Sequence, residues 1–197
     1  MNTQLSTTVT ITIPEWIEPF LNHDCKVLNT VEQKMALVLK IANRNIEAKS
    51  GGPFAAAVFN LDTDEIISVG VNLVTTSGLS ITHAEMVALM LAQKKMGTFD
   101  LGAKGLPPCQ LVSSTAPCAM CLGAIPWSGI KSLVCGARDE DARSVGFDEG
   151  AKPVRWIDEL NLRGIEVKAD VLREEAKAVL QHYREMGGII YNGHQNR

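Results

Sequence analysis

The chain is poor in the features that mark whole classes of protein. Aromatic residues make up only 5% of its 197 positions, so each aromatic near a polar motif is worth naming. No apolar run approaches the ~20 residues that a membrane-spanning helix needs. The opening stretch, "MNTQLSTTVTITIPEW", has neither the basic n-region nor the apolar h-region of a secretory leader. A cytoplasmic protein without membrane association is the expectation. Basic residues are in no excess: 19 Lys and Arg stand against 22 Asp and Glu, with the signs interspersed. A basic stripe that could neutralise a phosphate backbone is lacking, which speaks against nucleic acid as a partner. Five cysteines form an odd set, better read in such a compartment as thiols than as disulfides.

What is present suits one domain of ordinary size, with 46% apolar residues for a core. Residues 1–29 read as an arm, with a short apolar patch at Trp16, Ile17, Phe20 and Leu21. From Thr30, "VEQKMALVLKIANRNIEAKS" has helical spacing and stops at Gly51 and Gly52. "FAAAVFNLDTDEIISVGVN" predicts a hairpin turning at "DTDE". A polar loop, "TTSGLSIT", leads to a helix over 83–96, then a strand over 110–114, a helix opened by "PCAMC", and a strand over 132–137. The last third predicts short helices at "DEDARSVG" and "VRWIDELNLRG", a strand at "IEVKADVL", and an amphipathic helix ending at Gly187. The alternation predicts an α/β fold of three layers, α/β/α, with helices on both faces of the sheet. The domain is expected over 30–186, followed by a tail over 187–197.

The chemistry concentrates in two short motifs. Cys118 and Cys121 are three apart behind Pro117, which places both thiols on one face at a helix start. The positive end of the helix favours thiolates there. Two thiolates leave a zinc site incomplete, and the third ligand is expected to be His83 in "THAEM", also at a helix start. Glu85 follows His83 by two residues, about 200° around a helix, so the two converge only if their target lies beyond the helix end. Three protein ligands leave a fourth position for water, the arrangement of a catalytic zinc site and not of a structural one. Glu85 is then free to act as a base. Cys109 and Cys135 sit in apolar runs and read as small buried hydrophobes. Cys25, His23, His182 and His194 have no such company.

Together, "HAE" and "PCAMCLGAI" match the H-x-E…P-C-x-x-C pattern of zinc deaminases. The chain resembles the cytidine deaminase-like superfamily, and within it most closely the bacterial guanine deaminase branch. That likeness rests also on "GGPFAAAVF", "GVNLV", "VGFDEG", "RGIEV" and "IIYN", and extends over about 31–192. It implies a central mixed five-stranded sheet, one Zn2+ per chain on His83, Cys118 and Cys121, and hydrolytic deamination of a purine base, with Glu85 shuttling protons. Nucleoside and tRNA adenosine deaminases share the motifs, and a non-catalytic zinc module would have no use for Glu85. The resemblance further implies that Asn72 pairs with the base, Phe54 stacks on it, and Glu149, beside Asp148, assists proton transfer. It makes Trp127 a pocket wall, the tail after Gly187 a lid, and a homodimer the assembly. Read without it, Phe54 is a strand core residue, Asn72 a turn residue, and Asp148 with Glu149 a solvated loop. One departure is visible: Ala116 stands where the family often has Glu.

Overall fold

The computed structural model describes residues 6–24 and 28–193; Cys25 and His194 lie outside them. Helix α1 (Ile17–Asp24) is followed by α2 (Val31–Glu47). Thr30 starts α2 with a reciprocal cap: its hydroxyl accepts from Gln33 N–H while the Gln33 side chain accepts from the Thr30 N–H. Strands β1 (Ala55–Asn60) and β2 (Ile66–Val71) form the expected hairpin. A short helix α3 (Val74–Ser77) occupies the loop that the sequence left irregular. Then come α4 (Ala84–Met96), β3 (Cys109–Thr115), α5 (Ala119–Ser128), β4 (Ser132–Ala137), α6 (Asp139–Ser144), α7 (Trp156–Asn161), β5 (Glu166–Lys168) and α8 (Arg173–Glu185).

The sheet is mixed, in the order β2-β1-β3-β4-β5. β1 runs antiparallel to both β2 and β3, whereas β3, β4 and β5 are parallel. Both faces are covered, and the strands sort their side chains with period two. Ala55, Ala57 and Phe59 of β1 join Val112 and Val134 in a core under α2 and α8. Ala56 and Val58 join Leu111, Leu133 and Cys135 in a second core with α4 and α5 residues such as Ala88 and Ile125. The three-layer architecture is therefore as expected. The N-terminal stretch packs onto this body: Ile17 is buried in the first core, and Ile11, Ile13 and Phe20 lie against it.

Two expected elements are shorter than their sequence pattern. β5 ends at Lys168 instead of running to Leu172, because Asp170 and Leu172 adopt positive φ (63° and 50°), which breaks extended pairing. α7 begins at Trp156, leaving Val154 in solvent. None of the helices among the described residues is long and apolar enough to cross a membrane.

Candidate active site

The site forms where two helices end on one point. His83 and Cys118 are the residues that immediately precede α4 and α5, each in extended backbone conformation. Their side chains therefore project past the helix ends, not along the helix sides. Cys121 lies in the first turn of α5 and turns back to the same place. The Sγ atoms of Cys118 and Cys121 are 3.4 and 3.7 Å from His83 Nδ1, and the three donor atoms lie within 4.8 Å of one another. A tetrahedral zinc with Zn–N and Zn–S bonds of about 2.1 and 2.3 Å sets such atoms ~3.6 Å apart. The donor set fits zinc in element type, number and spacing. Among the described residues it is the one His/Cys/Asp/Glu group of this kind. Glu85, in the first turn of α4, is 6% exposed and faces the two thiols.

The donors open into a cavity of about 350 Å³, near the lower end of the ~300–1,000 Å³ usual for small-molecule sites. The structure brings Phe54, Asn72, Asp148 and Glu149 to its wall beside His83, Glu85 and Cys118. Asn72 is fully buried just past β2. Its Oδ1 accepts from Val74 N–H at 3.3 Å, and its Nδ2 donates to the hydroxyl of Tyr191. Phe54 meets the edge of Phe147, ring centroids 4.8 Å apart. The loop after α6 is drawn inward, because the Glu149 carbonyl accepts from Ala119 N–H at 2.9 Å. That bond ties the loop to the first turn of α5, and Glu149 ends 5% exposed.

Asp148 behaves differently from its neighbour. Its carboxylate accepts from Gly150 N–H at 2.9 Å and lies 3.6 Å from Arg143, so it shapes the loop from the solvent side. Trp127 is a correction: it is not a wall of this cavity. Its side chain is 86% exposed and borders a separate depression with Leu122, Pro126 and Leu160. The helix explains why. Cys121 and Ile125 of α5 face inward, and at 100° per residue Trp127 is turned away from both.

Residues 28–137 match the family described as the cytidine and deoxycytidylate deaminase zinc-binding region. The chain belongs to this deaminase family. A guanine deaminase from Nitrosomonas europaea is 44% identical, with a TM-score of 0.86 over 92% of this chain and 99% of that one. A variant of the Nitrosomonas protein bound to 8-azaguanine is 45% identical, with the same TM-score, over 91% of this chain and 98% of that one. A guanine deaminase of Bacillus subtilis is 38% identical over 109 residues, 55% of this chain and 65% of that protein. Zinc is accordingly the metal of this site, and the deaminase is a hydrolytic enzyme.

The electrostatics of the deaminase site follow from charge held out of water. Burial, reinforced by Cys118, pushes the Glu85 carboxyl above its usual range, while His83 opposes the shift. Burial does the same to Glu149, with Cys118 and Glu85 adding to it, and raises it to about 8. A hydrogen bond from Cys121 holds Cys118 down to about 4, helped by His83 and opposed by burial. Burial works to lower His83, but its hydrogen bond to Cys118 and the charge of Glu85 raise it on balance. Metal binding requires both thiols deprotonated and the imidazole neutral. Two carboxyls with raised proton affinity beside one donor set are what proton transfer near neutral pH needs.

Three cavity residues escaped the sequence reading as named site residues. Tyr191 lines the cavity from the tail, 5.4 Å from the ring of Phe147 and 6.1 Å from that of His83. Asn192 clips the tail to the Glu149 loop: its Oδ1 accepts from Asp148 N–H and its Nδ2 donates to the Gly146 carbonyl, both at 2.9 Å. Phe147 supplies the apolar floor. The segments "VGFDEG" and "IIYN" were the available signals, but neither identifies which side chain turns inward. The tail makes no strand among the described residues, so the edge of the sheet stays with β2 and β5.

Proposed function

We propose that this deaminase converts guanine and water to xanthine and ammonia. The observation that carries the reading is the pairing of two buried carboxyls, Glu85 and Glu149, across one small cavity that opens on the His83, Cys118 and Cys121 donor set. The Nitrosomonas and Bacillus relatives support it. Zinc held by those three residues supplies Lewis-acid activation of water at neutral pH. Glu85 takes a proton from the attacking water as its oxygen bonds to C2 of guanine, and passes that proton to the ring nitrogen beside C2. Glu149, whose burial raises its proton affinity, gives a proton to the amine on C2 and takes back the proton of the new C2 hydroxyl, so that ammonia leaves as the carbonyl of xanthine forms. Asn72 pairs with the polar edge of the base, Phe54 covers its face, and the tail carrying Tyr191 excludes water.

The reading extends to the surroundings of the site. The cavity closed by Tyr191 and Asn192 suits a free base better than a nucleoside or a tRNA loop. The exposed ring of Trp127, with the half-buried Leu122 and Pro126 beside it, supports a homodimer. The four free cysteines among the described residues support the cytoplasm as compartment. An ammonia-release screen over guanine, guanosine, cytosine, adenosine and a tRNA hairpin tests the activity, with Glu85→Gln as control. Guanine is expected to be the substrate turned over, and Glu85→Gln to keep its zinc yet lose turnover by at least ~100-fold. Preferential release from adenosine in the hairpin would overturn the reading.

A further inference from the structure

Behind the base-facing wall of the cavity lies a buried amide with no part in the chemistry above. Asn45, in the last turn of α2, is 0% exposed. Its Nδ2 donates to two backbone carbonyls, that of Gly52 at 2.8 Å and that of Asn72 at 3.2 Å. Its Oδ1 accepts from the Ser50 hydroxyl at 2.7 Å. Donors meet acceptors throughout, so the orientation of the amide is set by its partners. The Ser50 oxygen accepts in turn from Trp16 Nε1 at 3.1 Å, which carries the chain of bonds to the residue in front of α1.

The two carbonyls belong to the two segments that present the base-facing side chains. Gly52 precedes Phe54 by two residues, and Asn72 is the base-pairing group itself. The segments also bond to each other, Asn72 N–H to Phe54 carbonyl at 2.9 Å. They approach so closely that a Cβ on Gly51 would lie 1.8 Å from the Asn72 oxygen. Nothing in this geometry lets either segment shift without breaking a bond to Asn45. An apolar side chain at 45 would strand two buried carbonyls, and a carboxylate would set its charge against them.

We infer that Asn45 is a positioning residue for substrate binding, holding Asn72 and the Phe54 segment at the separation that the base requires. The inference rests on the reading of Asn72 as a base-binding residue. It assigns Asn45 no contact with substrate and no role in zinc binding or proton transfer, so its effect falls on affinity and not on the chemical step.

The test is a double-mutant cycle on zinc-loaded protein, measuring KM and kcat for guanine and the Kd of 8-azaguanine by calorimetry. Asn45→Ala is expected to raise KM and Kd about 10-fold, with kcat within about 3-fold and zinc content unchanged. In an Asn72→Ala background the same change should add less than about 2-fold, because the group that it positions is gone. Ser50→Ala removes the hydroxyl that orients the amide, and with it the acceptor of Trp16 Nε1, and should raise Kd about 3-fold; it decides the question if Asn45→Ala does not fold. Unchanged KM and Kd in the folded variant would overturn the inference, as would an equal factor in both backgrounds. Wild-type KM in Asn72→Ala alone would instead remove the base-binding reading of Asn72, and the inference with it.

Discussion

Replacing Gly70 by alanine places a methyl group where β2 and α4 almost touch. The added Cβ would lie 2.2 Å from the Ala84 carbonyl and 2.4 Å from the Ala88 nitrogen, both backbone atoms of α4, with ordinary contact beginning at 3.4 Å. Backbone strain is not the issue, since Gly70 does not have a positive φ. The helix must therefore withdraw by about 1.2 Å at its N-terminal turn, against the Ser68 hydroxyl bond to Ala88 carbonyl at 2.7 Å. Overpacking of this kind costs about 1–3 kcal/mol, which for a chain of this size lowers Tm by roughly 3–10 °C. The functional cost should be larger. Ala84 stands between His83 and Glu85, so the withdrawal displaces both relative to Cys118 and Cys121 on α5, and a misplacement near 1 Å costs ~100-fold in rate. Thermal unfolding, zinc content and kcat for guanine at 25 °C measure the three consequences together. A Gly70→Ala protein that melts within about 1 °C of the parent and turns over within about 2-fold of it would refute the argument.

Four further outcomes follow from the structure. Glu149 is held to about 8 in the folded chain, against 4.5 for a free carboxyl, so the stability that it contributes is present below about pH 4.5 and is lost as pH rises to about 8. Glu149→Gln carries no charge and should flatten that fall by up to ~5 kcal/mol; parallel denaturation curves at pH 5 and 8 for both proteins would contradict it. The same variant should lower kcat more than it raises KM. Lys152, with 4% of its side chain exposed, donates to Asp139 at 2.6 Å and to the Pro117 carbonyl at 2.9 Å, and lies 4.3 Å from the Trp156 ring centre. Lys152→Met should cost about 3 kcal/mol by leaving Asp139 without its counter-charge, and an unchanged urea midpoint would show the pair to be dispensable. Deleting residues 187–197 removes Tyr191 and Asn192 together; it should leave a folded, zinc-loaded protein with turnover reduced at least ~10-fold, and full activity would dismiss the tail as a lid.

The sequence by itself determined what is local. A proline before two cysteines three apart, and a histidine two before a glutamate, each describe the start of one helix. Residues within a single helical turn have their relative positions set by backbone geometry alone. Two β-rich runs divided by the turn cluster "DTDE" likewise announced the strands of the hairpin, because turn residues between such runs reverse the chain locally. The resemblance set Trp127 on the cavity wall, and the rotation of α5, with Cys121 facing inward, turns it away. What the sequence could not decide was which charged or apolar residues of distant loops turn inward. Asp148 and Glu149 are neighbours of equal charge, yet one stays in solvent and the other is buried. The difference arises from a backbone bond between Glu149 and Ala119, thirty residues earlier. Tyr191 reaches Asn72 across 119 residues, and Asn45 reaches it across 27. Such meetings depend on the closure of the whole sheet and its two helical layers, which brings together segments whose own sequence carries no trace of one another.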